Sequence, residues 1–237
     1  MVSAMGSRIS RYRLPLLSGL LVGTSYIPFP PWALLFCYVP LWLFWVREKS
    51  VRAVLWGGWL TQSLFCLVGF HWVAWTAHEF GYLPWPVALF ILALFCAFGH
   101  LYLVLAGWLF TLFRDRLGLS RAAQLGILPC VTALCHRYVP MIFPWNLGYP
   151  WLSARLPAFH LAEFVGFEGL DVMTLFLNFA LLLAWEHRKE GKGAYLLAST
   201  AFLVILANGA GWIAGKGQPL PDAAAKVLVV QGNVGNL

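Results

Sequence analysis

A chain of 237 residues with 61% hydrophobic and only 11% charged residues departs far from the roughly 25% charged residues of soluble domains. Together with a mean hydropathy of +0.75, this excludes an ordinary soluble domain and indicates an all-α polytopic membrane protein. The net charge of +7 does not indicate nucleic-acid binding, because the basic residues stand in short clusters between apolar stretches, where membrane topology places them.

A spanning helix needs roughly 20 mainly apolar residues at about 1.5 Å each. The opening stretch resembles a secretory leader, with Arg8, Arg11 and Arg13 before an apolar run. No small-residue cleavage motif follows, so a retained first span is expected. From Leu14 to Val46 there is no Asp, Glu, Lys or Arg. Pro28, Pro30 and Pro31 divide that stretch, since proline removes a backbone donor. Two short helices, 14–28 and 32–46, are predicted. The pattern then predicts helices over 53–77, 86–113, 122–139, 161–185 and 193–214, about seven transmembrane helices in all. Residues 215–226 read as a linker of Gly, Pro and Ala. A β-branched run, Val227–Val230, follows and opens a segment 227–237. It ends on a turn-like Gln231-Gly232-Asn233, and a lone strand needs partners to be stable.

Basic residues orient the bundle. Clusters before helix one and after helices two, four and six hold 12 of the 16 Lys and Arg. These mark the cytoplasmic side, which places the N-terminus inside and the C-terminal strand outside. Trp32, Trp45, Trp85, Trp145, Trp151, Trp185 and Trp212 fall near predicted helix ends, as interfacial anchors do.

Three outer stretches carry the candidate chemistry. In Pro140–Trp151, "PMIFPWNLGYPW", the prolines and Gly148 forbid regular helix, while Phe143, Trp145, Tyr149 and Trp151 are large and amphipathic. Irregular backbone at a membrane survives where it lines a cavity, packs on protein or meets water. An aromatic belt and an outer mouth for lipid both fit. His78 beside Glu79 reads as a solvated edge or a proton-handling pair. Glu163, Glu168 and Asp171 sit where an outer helix begins, and helix-dipole electrostatics accounts for them. Glu168 and Asp171 share a face. Asn178 lies mid-helix, where an amide seeks a partner on a neighbouring helix. His71 and His100 lie in apolar helices and read either as functional groups or as neutral imidazoles bonded to backbone. The five cysteines lie in apolar stretches and behave as small hydrophobes. No metal-ligand cluster, phosphate loop or nucleophile beside a base is evident in the pattern, and no cofactor is implied.

The stretches "IPFPPWALLFCYVPLW" (27–42), "HEFGYLP" (78–84), "FPWNLGY" (143–149), "GFEGLDVMTLFLN" (166–178) and "VLVVQGNV" (227–234) stand in this order, and the chain resembles the apolipoprotein N-acyltransferase family over nearly its whole length. The resemblance implies that the last strand opens an α/β, nitrilase-like periplasmic domain, here incomplete. It implies an enzyme of the bacterial inner (cytoplasmic) membrane, monomeric, with a phospholipid acyl donor and a lipoprotein acceptor. An acyl chain passes through a cysteine thioester to the amine of the acceptor's N-terminal diacylglyceryl-cysteine, which splits one acyl transfer into two steps. The family's Glu-Lys-Cys triad falls beyond the first strand, so this chain alone is expected to be inactive, with no catalytic residue to assign. Carried over to the lipid-accessible cavity are Phe143, Pro144, Trp145, Tyr149 and Trp151, with His78 and Glu168. Gly148, Gly166, Gly169 and Asn178 are carried over as structural positions. The chain departs from the family pattern at Ile142, in the acid-free stretch 131–141, and at Phe167-Glu168. The rival readings are a small transporter or channel using His71, His100, Glu163 or Asp171, and a non-catalytic scaffold binding lipid or lipoprotein.

Overall fold

The computed structural model describes residues 2–216. Among the described residues the chain is all-helical: α1 (Val2–Gly23), α2 (Val39–Arg47), α3 (Val51–Gly69), α4 (Trp72–Glu79), α5 (Trp85–Phe98), α6 (Tyr102–Leu117), α7 (Arg121–Tyr138), α8 (Tyr149–Ser153), α9 (Ala162–Glu186) and α10 (Lys192–Lys216), with a 3-10 turn at Pro157–Leu161 before α9. Four helical stretches are long and apolar enough to cross a membrane: Val51–Gly69, Trp85–Leu117, Pro157–Glu186 and Lys192–Lys216. The nine-residue α2 is too short to cross alone, and α7 carries Gln124, His136 and Arg137 within its length. The predicted strand at 227–237 and linker residues 217–226 lie outside the described residues.

The chain's path packs α1 on α3, α3 on α6, α6 on α7, α7 on α9 and α9 on α10. Inside this arrangement sits α2, buried continuously from Pro40 to Val46. Small residues set the close approaches. A Cβ on Gly19 would stand 2.7 Å from the Thr61 carbonyl oxygen, and one on Gly58 would stand 2.8 Å from that of Leu103. Such contacts let helix backbones meet in lipid, where packing rather than water drives association.

One end of the bundle is ionic. Arg11 pairs with Glu48 at 2.8 Å and Arg121 with Glu186 at 2.8 Å, while Arg114 donates to the Glu48 carbonyl at 2.7 Å. These contacts bring α1, the ends of α2, α6 and α9, and the start of α7 to one level. Burial alone would raise the Glu48 carboxyl, but hydrogen bonds from the Ser50 backbone and Arg11 outweigh it and hold the group below its usual range.

The structure draws several helix limits differently from the sequence pattern. The 14–28 segment is helical only to Gly23, and 32–46 only from Val39. Between them, residues 24–38 run through turns, including a cis Ile27–Pro28 bond. Side chains meet the exposed backbone there. Ser18 donates to the Cys37 carbonyl, Ser25 accepts from the Ala33 N–H at 3.0 Å, and Trp32 donates to the Thr24 carbonyl at 3.0 Å. From α9, the fully buried Asn178 accepts from the Tyr38 N–H at 2.9 Å and donates to the Leu34 carbonyl at 2.8 Å. Irregular backbone is tolerated at membrane depth when protein groups satisfy it. Replacing Asn178 with leucine leaves Tyr38 N–H and Leu34 C=O without partners. It is expected to cost about 2 kcal/mol, measured by reversible unfolding in mixed micelles. A loss indistinguishable from zero would show that this amide does not hold the segment.

The predicted 53–77 helix breaks at Phe70–His71, and 86–113 breaks at Gly99–Leu101. Apolar periodicity continues across both breaks, so neither is visible locally. Both lie where the 143–145 loop packs: Phe143 rests on Phe70 and Phe95, and Trp145 on Phe70.

Candidate functional site

The stretch after α7 is irregular over residues 139–148 and, against the sequence expectation, turns helical at α8, where Pro150 sits in the first turn and needs no N–H partner. The backbone groups of the irregular part need partners from elsewhere. Three polar side chains supply them, one from the break between α5 and α6 and two from helices. His100, after α5, shares a hydrogen bond with the Phe143 carbonyl through Nε2 at 2.8 Å. His136, on α7, bonds the Trp145 carbonyl through Nε2 at 2.7 Å. Asp171, on α9, accepts from the Gly148 N–H at 2.8 Å. A fourth tie comes from Thr174, which accepts from the Trp151 indole at 2.8 Å. The second Asp171 oxygen lies 3.5 Å from His136 Nδ1, and both side chains are buried. A buried acid is retained where it is bonded and paired, so Asp171 and His136 form the centre of the clamp.

Trp145 is the loop's anchor. It is 1% exposed, stacks on Tyr26 with ring centroids 3.9 Å apart, and meets Phe65 at 4.9 Å. A Cβ on Gly69 would lie 2.5 Å from its ring, so that glycine makes the space. Its indole nitrogen has no hydrogen-bond partner, so the ring is held by packing, while the backbone carbonyl is held by His136. Trp45, Trp145 and Trp151 are thus buried rather than interfacial anchors, whereas Trp32, Trp85, Trp185 and Trp212 remain exposed.

The carried-over residues separate into three groups. Phe143, Trp145, Tyr149 and Trp151 belong to one clamped unit. Of these, Phe143 and Tyr149 stay partly exposed, with Tyr149 against Phe167 at 4.8 Å. Pro144 and Glu168 lie instead on a polar cavity of about 280 Å³, shared with His136, Arg137, Asn146 and Asp171. Glu168 stands at its rim, 3.7 Å from Arg137, both largely exposed. His78 is not joined to the loop: its Nδ1 meets the Leu83 carbonyl at 2.7 Å and its ring stacks on Trp85. Its placement follows the short turn after α4, which closes on itself.

The glycines take structural positions. Gly148 has no room for a Cβ beside Phe167, at 2.8 Å. At Gly166 the backbone turns to φ 71° and ψ 175° inside α9, a region essentially restricted to glycine. That kink brings Val165 against Gly169. Helix α9 therefore starts as a bent arm and delivers Asp171, Thr174 and Asn178 to the loop and to the 24–38 segment.

Two groupings escaped the sequence pattern. Asp171 and His136 are 35 residues apart and carry no local signal of meeting. Cys66 Sγ lies 3.2 Å from His100 Nδ1, a thiol beside an imidazole that local spacing did not reveal. Both are buried beneath Phe65, Phe70 and Phe95. The second ring nitrogen of His100 is committed to the loop through the Phe143 carbonyl. His71 likewise bonds the Val68 carbonyl at 2.9 Å. His71, His100 and His136 thus each bond a backbone carbonyl. Among the described residues no group of His, Cys, Asp and Glu is arranged to hold a metal.

The comparisons with known proteins agree with this arrangement. A family model described as the apolipoprotein N-acyltransferase N-terminal domain matches residues 18–180, from α1 through most of α9. The chain is 46% identical over 228 residues to an apolipoprotein N-acyltransferase of Bdellovibrio bacteriovorus, covering 95% of this chain and 42% of that protein. It is 25% identical over 244 residues to the one of Vibrio parahaemolyticus, covering 99% of this chain and 45% of that protein. It is 28% identical over 230 residues to the one of Pseudomonas paraeruginosa, covering 93% of this chain and 43% of that protein. The chain thus spans less than half the length of these curated relatives. With its clamped loop and bent α9 both inside the matched region, the chain belongs to the apolipoprotein N-acyltransferase family and carries its N-terminal domain.

Proposed function

We propose that this chain is the membrane portion of an enzyme that transfers an acyl chain from phospholipid to the N-terminal amine of a lipoprotein. The observation that carries this reading is the loop at residues 143–151, fixed by His100, His136 and Asp171 while Phe143 and Tyr149 stay partly exposed. A rigid, partly exposed aromatic rim on an apolar bundle suits lipid chains and head groups. The polar cavity beside it, with Pro144 and Glu168, suits the polar end of the same ligand.

In this reading the acyl-transfer chemistry of the family, a glutamate base, a lysine and a cysteine nucleophile, is assigned to none of the described residues. The protein is monomeric, lies in the inner membrane and crosses it about seven times, with α2 completing a pass together with the turns before it. The N-terminus is cytoplasmic and the tail after α10 periplasmic. The ionic end supports that orientation, because it gathers Arg11, Arg114 and Arg121, with Arg188 in the turn after α9.

The test is made in the source organism. Deleting the gene is expected to leave lipoprotein N-terminal peptides with two acyl chains instead of three, read by mass spectrometry. Full-length protein should restore the third chain. Protein carrying Gly148→Val, which drives a side chain into Phe167, should restore it at least several-fold less well at equal abundance. Lipopeptides that stay triacylated after deletion would overturn the assignment.

A further inference from the structure

A second feature lies far from the loop. Between α1 and α2 on one side and α9 and α10 on the other is an apolar groove of about 800 Å³, within the usual size of ligand sites. Its walls include Leu17, Leu21, Phe36, Leu181 and Leu197, and Arg188 stands among them. Helix α10 leaves it open, since only Gly193, Thr200 and Gly211 of that helix are buried. Near its far end α10 is fixed to the 3-10 turn, where a Cβ on Gly211 would meet the Pro157 carbonyl.

Depth along the groove follows from the helices. Arg11 marks the ionic level of α1 through its pair with Glu48. Leu21 is ten residues on, roughly 15 Å deeper. Arg188 lies just past the end of α9, at the level set by the Arg121–Glu186 pair. The groove therefore runs from a basic mouth at Arg188 into the apolar interior.

The mouth has uncompensated charge. Arg11, Arg114 and Arg121 are each matched by a carboxylate, and Lys192 stands 3.9 Å from Glu190. Arg188 makes no ion pair among the described residues. Its guanidinium lies 4.2 Å over the Trp185 ring, and one nitrogen donates to the Trp185 carbonyl at 2.5 Å. That fixes the group in place and leaves donors of its fork over. Lys189 follows directly and is exposed.

We propose that this groove is a binding site for a glycerophospholipid with a net-negative head group, its phosphate on Arg188 and one acyl chain along Leu181, Leu197 and Leu21. A guanidinium fork matches phosphate geometry, and basic residues at a membrane surface favour anionic lipid. A zwitterionic head group brings an ammonium towards Arg188 and Lys189, which counts against it.

The chain purified in mild detergent, offered equal amounts of dioleoyl phosphatidylglycerol and dioleoyl phosphatidylethanolamine, tests this by native mass spectrometry. Phosphatidylglycerol should dominate the bound population. Arg188→Gln should reduce those adducts about five-fold, the effect of one surface arginine, and leave phosphatidylethanolamine adducts unchanged. Ala194→Trp, on the exposed face of α10 within the groove, should remove both kinds of adduct while the melting temperature holds. Equal retention of the two lipids by the unsubstituted chain, an unaltered pattern in Arg188→Gln, or full retention in Ala194→Trp would each overturn the proposal.

Discussion

Replacing Asp171 with alanine is expected to lower the stability of the folded bundle by about 3 kcal/mol. The carboxylate is 4% exposed, accepts from the Gly148 N–H and stands 3.5 Å from His136. Removing it strands a buried backbone donor and a buried imidazole together, and unpaired buried groups lose their full solvation. Asparagine keeps an acceptor for Gly148 but replaces the oxygen facing His136 with an amide nitrogen, so Asp171→Asn should cost about half as much. His136→Ala combined with Asp171→Ala should fall short of the sum of the single losses by about 1 kcal/mol or more, since the two share one network. Reversible unfolding of the purified chain in mixed micelles measures all four variants, His136→Ala alone included. Limited proteolysis gives a local readout, with cleavage inside 143–149 rising in Asp171→Ala. Full stability and an uncut loop in that variant would show that the clamp is held by something else.

The second large effect is expected at Trp145. Truncation to alanine removes a ring packed against Tyr26, Phe65 and Phe70, and large aromatic-to-alanine changes in cores cost about 3–5 kcal/mol. The indole nitrogen makes no hydrogen bond. Phenylalanine therefore loses volume only, and Trp145→Phe should cost about 1–2 kcal/mol. A Phe variant as unstable as the Ala variant would mean that the indole nitrogen has a partner after all. In cells, Trp145→Ala should also lower the steady-state amount of protein, because a few kcal/mol is a large share of total stability.

How much of this was legible can be judged residue by residue. The loop was visible because Pro140, Pro144 and Gly148 interrupt helix while aromatics crowd around them; the short α8 was not, because Pro150 reads as a breaker and in fact occupies a first helical turn. The motifs in 27–42, 143–149 and 166–178 pointed to the family, and the matched region covers them. Asn178 was expected to seek a partner on a neighbouring helix; its partners are the backbone of Leu34 and Tyr38, in the irregular segment between α1 and α2. The breaks at Phe70–His71 and Gly99–Leu101 were not visible in the apolar spacing, which continues across them, and the packing of Phe143 and Trp145 beside them leaves no local pattern. Asp171 read as a helix-start charge because it sits, with Glu163 and Glu168, where an outer helix begins. Its true partners, His136 and Gly148, sit at distances along the chain that no local pattern reports. Trp45, Trp145 and Trp151 looked like interfacial anchors, since position near a helix end does not distinguish a ring that turns inward.

Asn178 also sets an order of events during synthesis. The backbone groups it satisfies belong to residues 140 and 144 positions earlier in the chain. At roughly 5–20 residues per second, the ribosome has made the 24–38 segment on the order of 10 s before α9 emerges. Through that interval the segment's amides lack their final partner, and the lipid around them offers none. The first two helices must therefore wait at the insertion machinery or near the water interface, and α2 reaches the centre of the bundle only when α9 arrives to receive it.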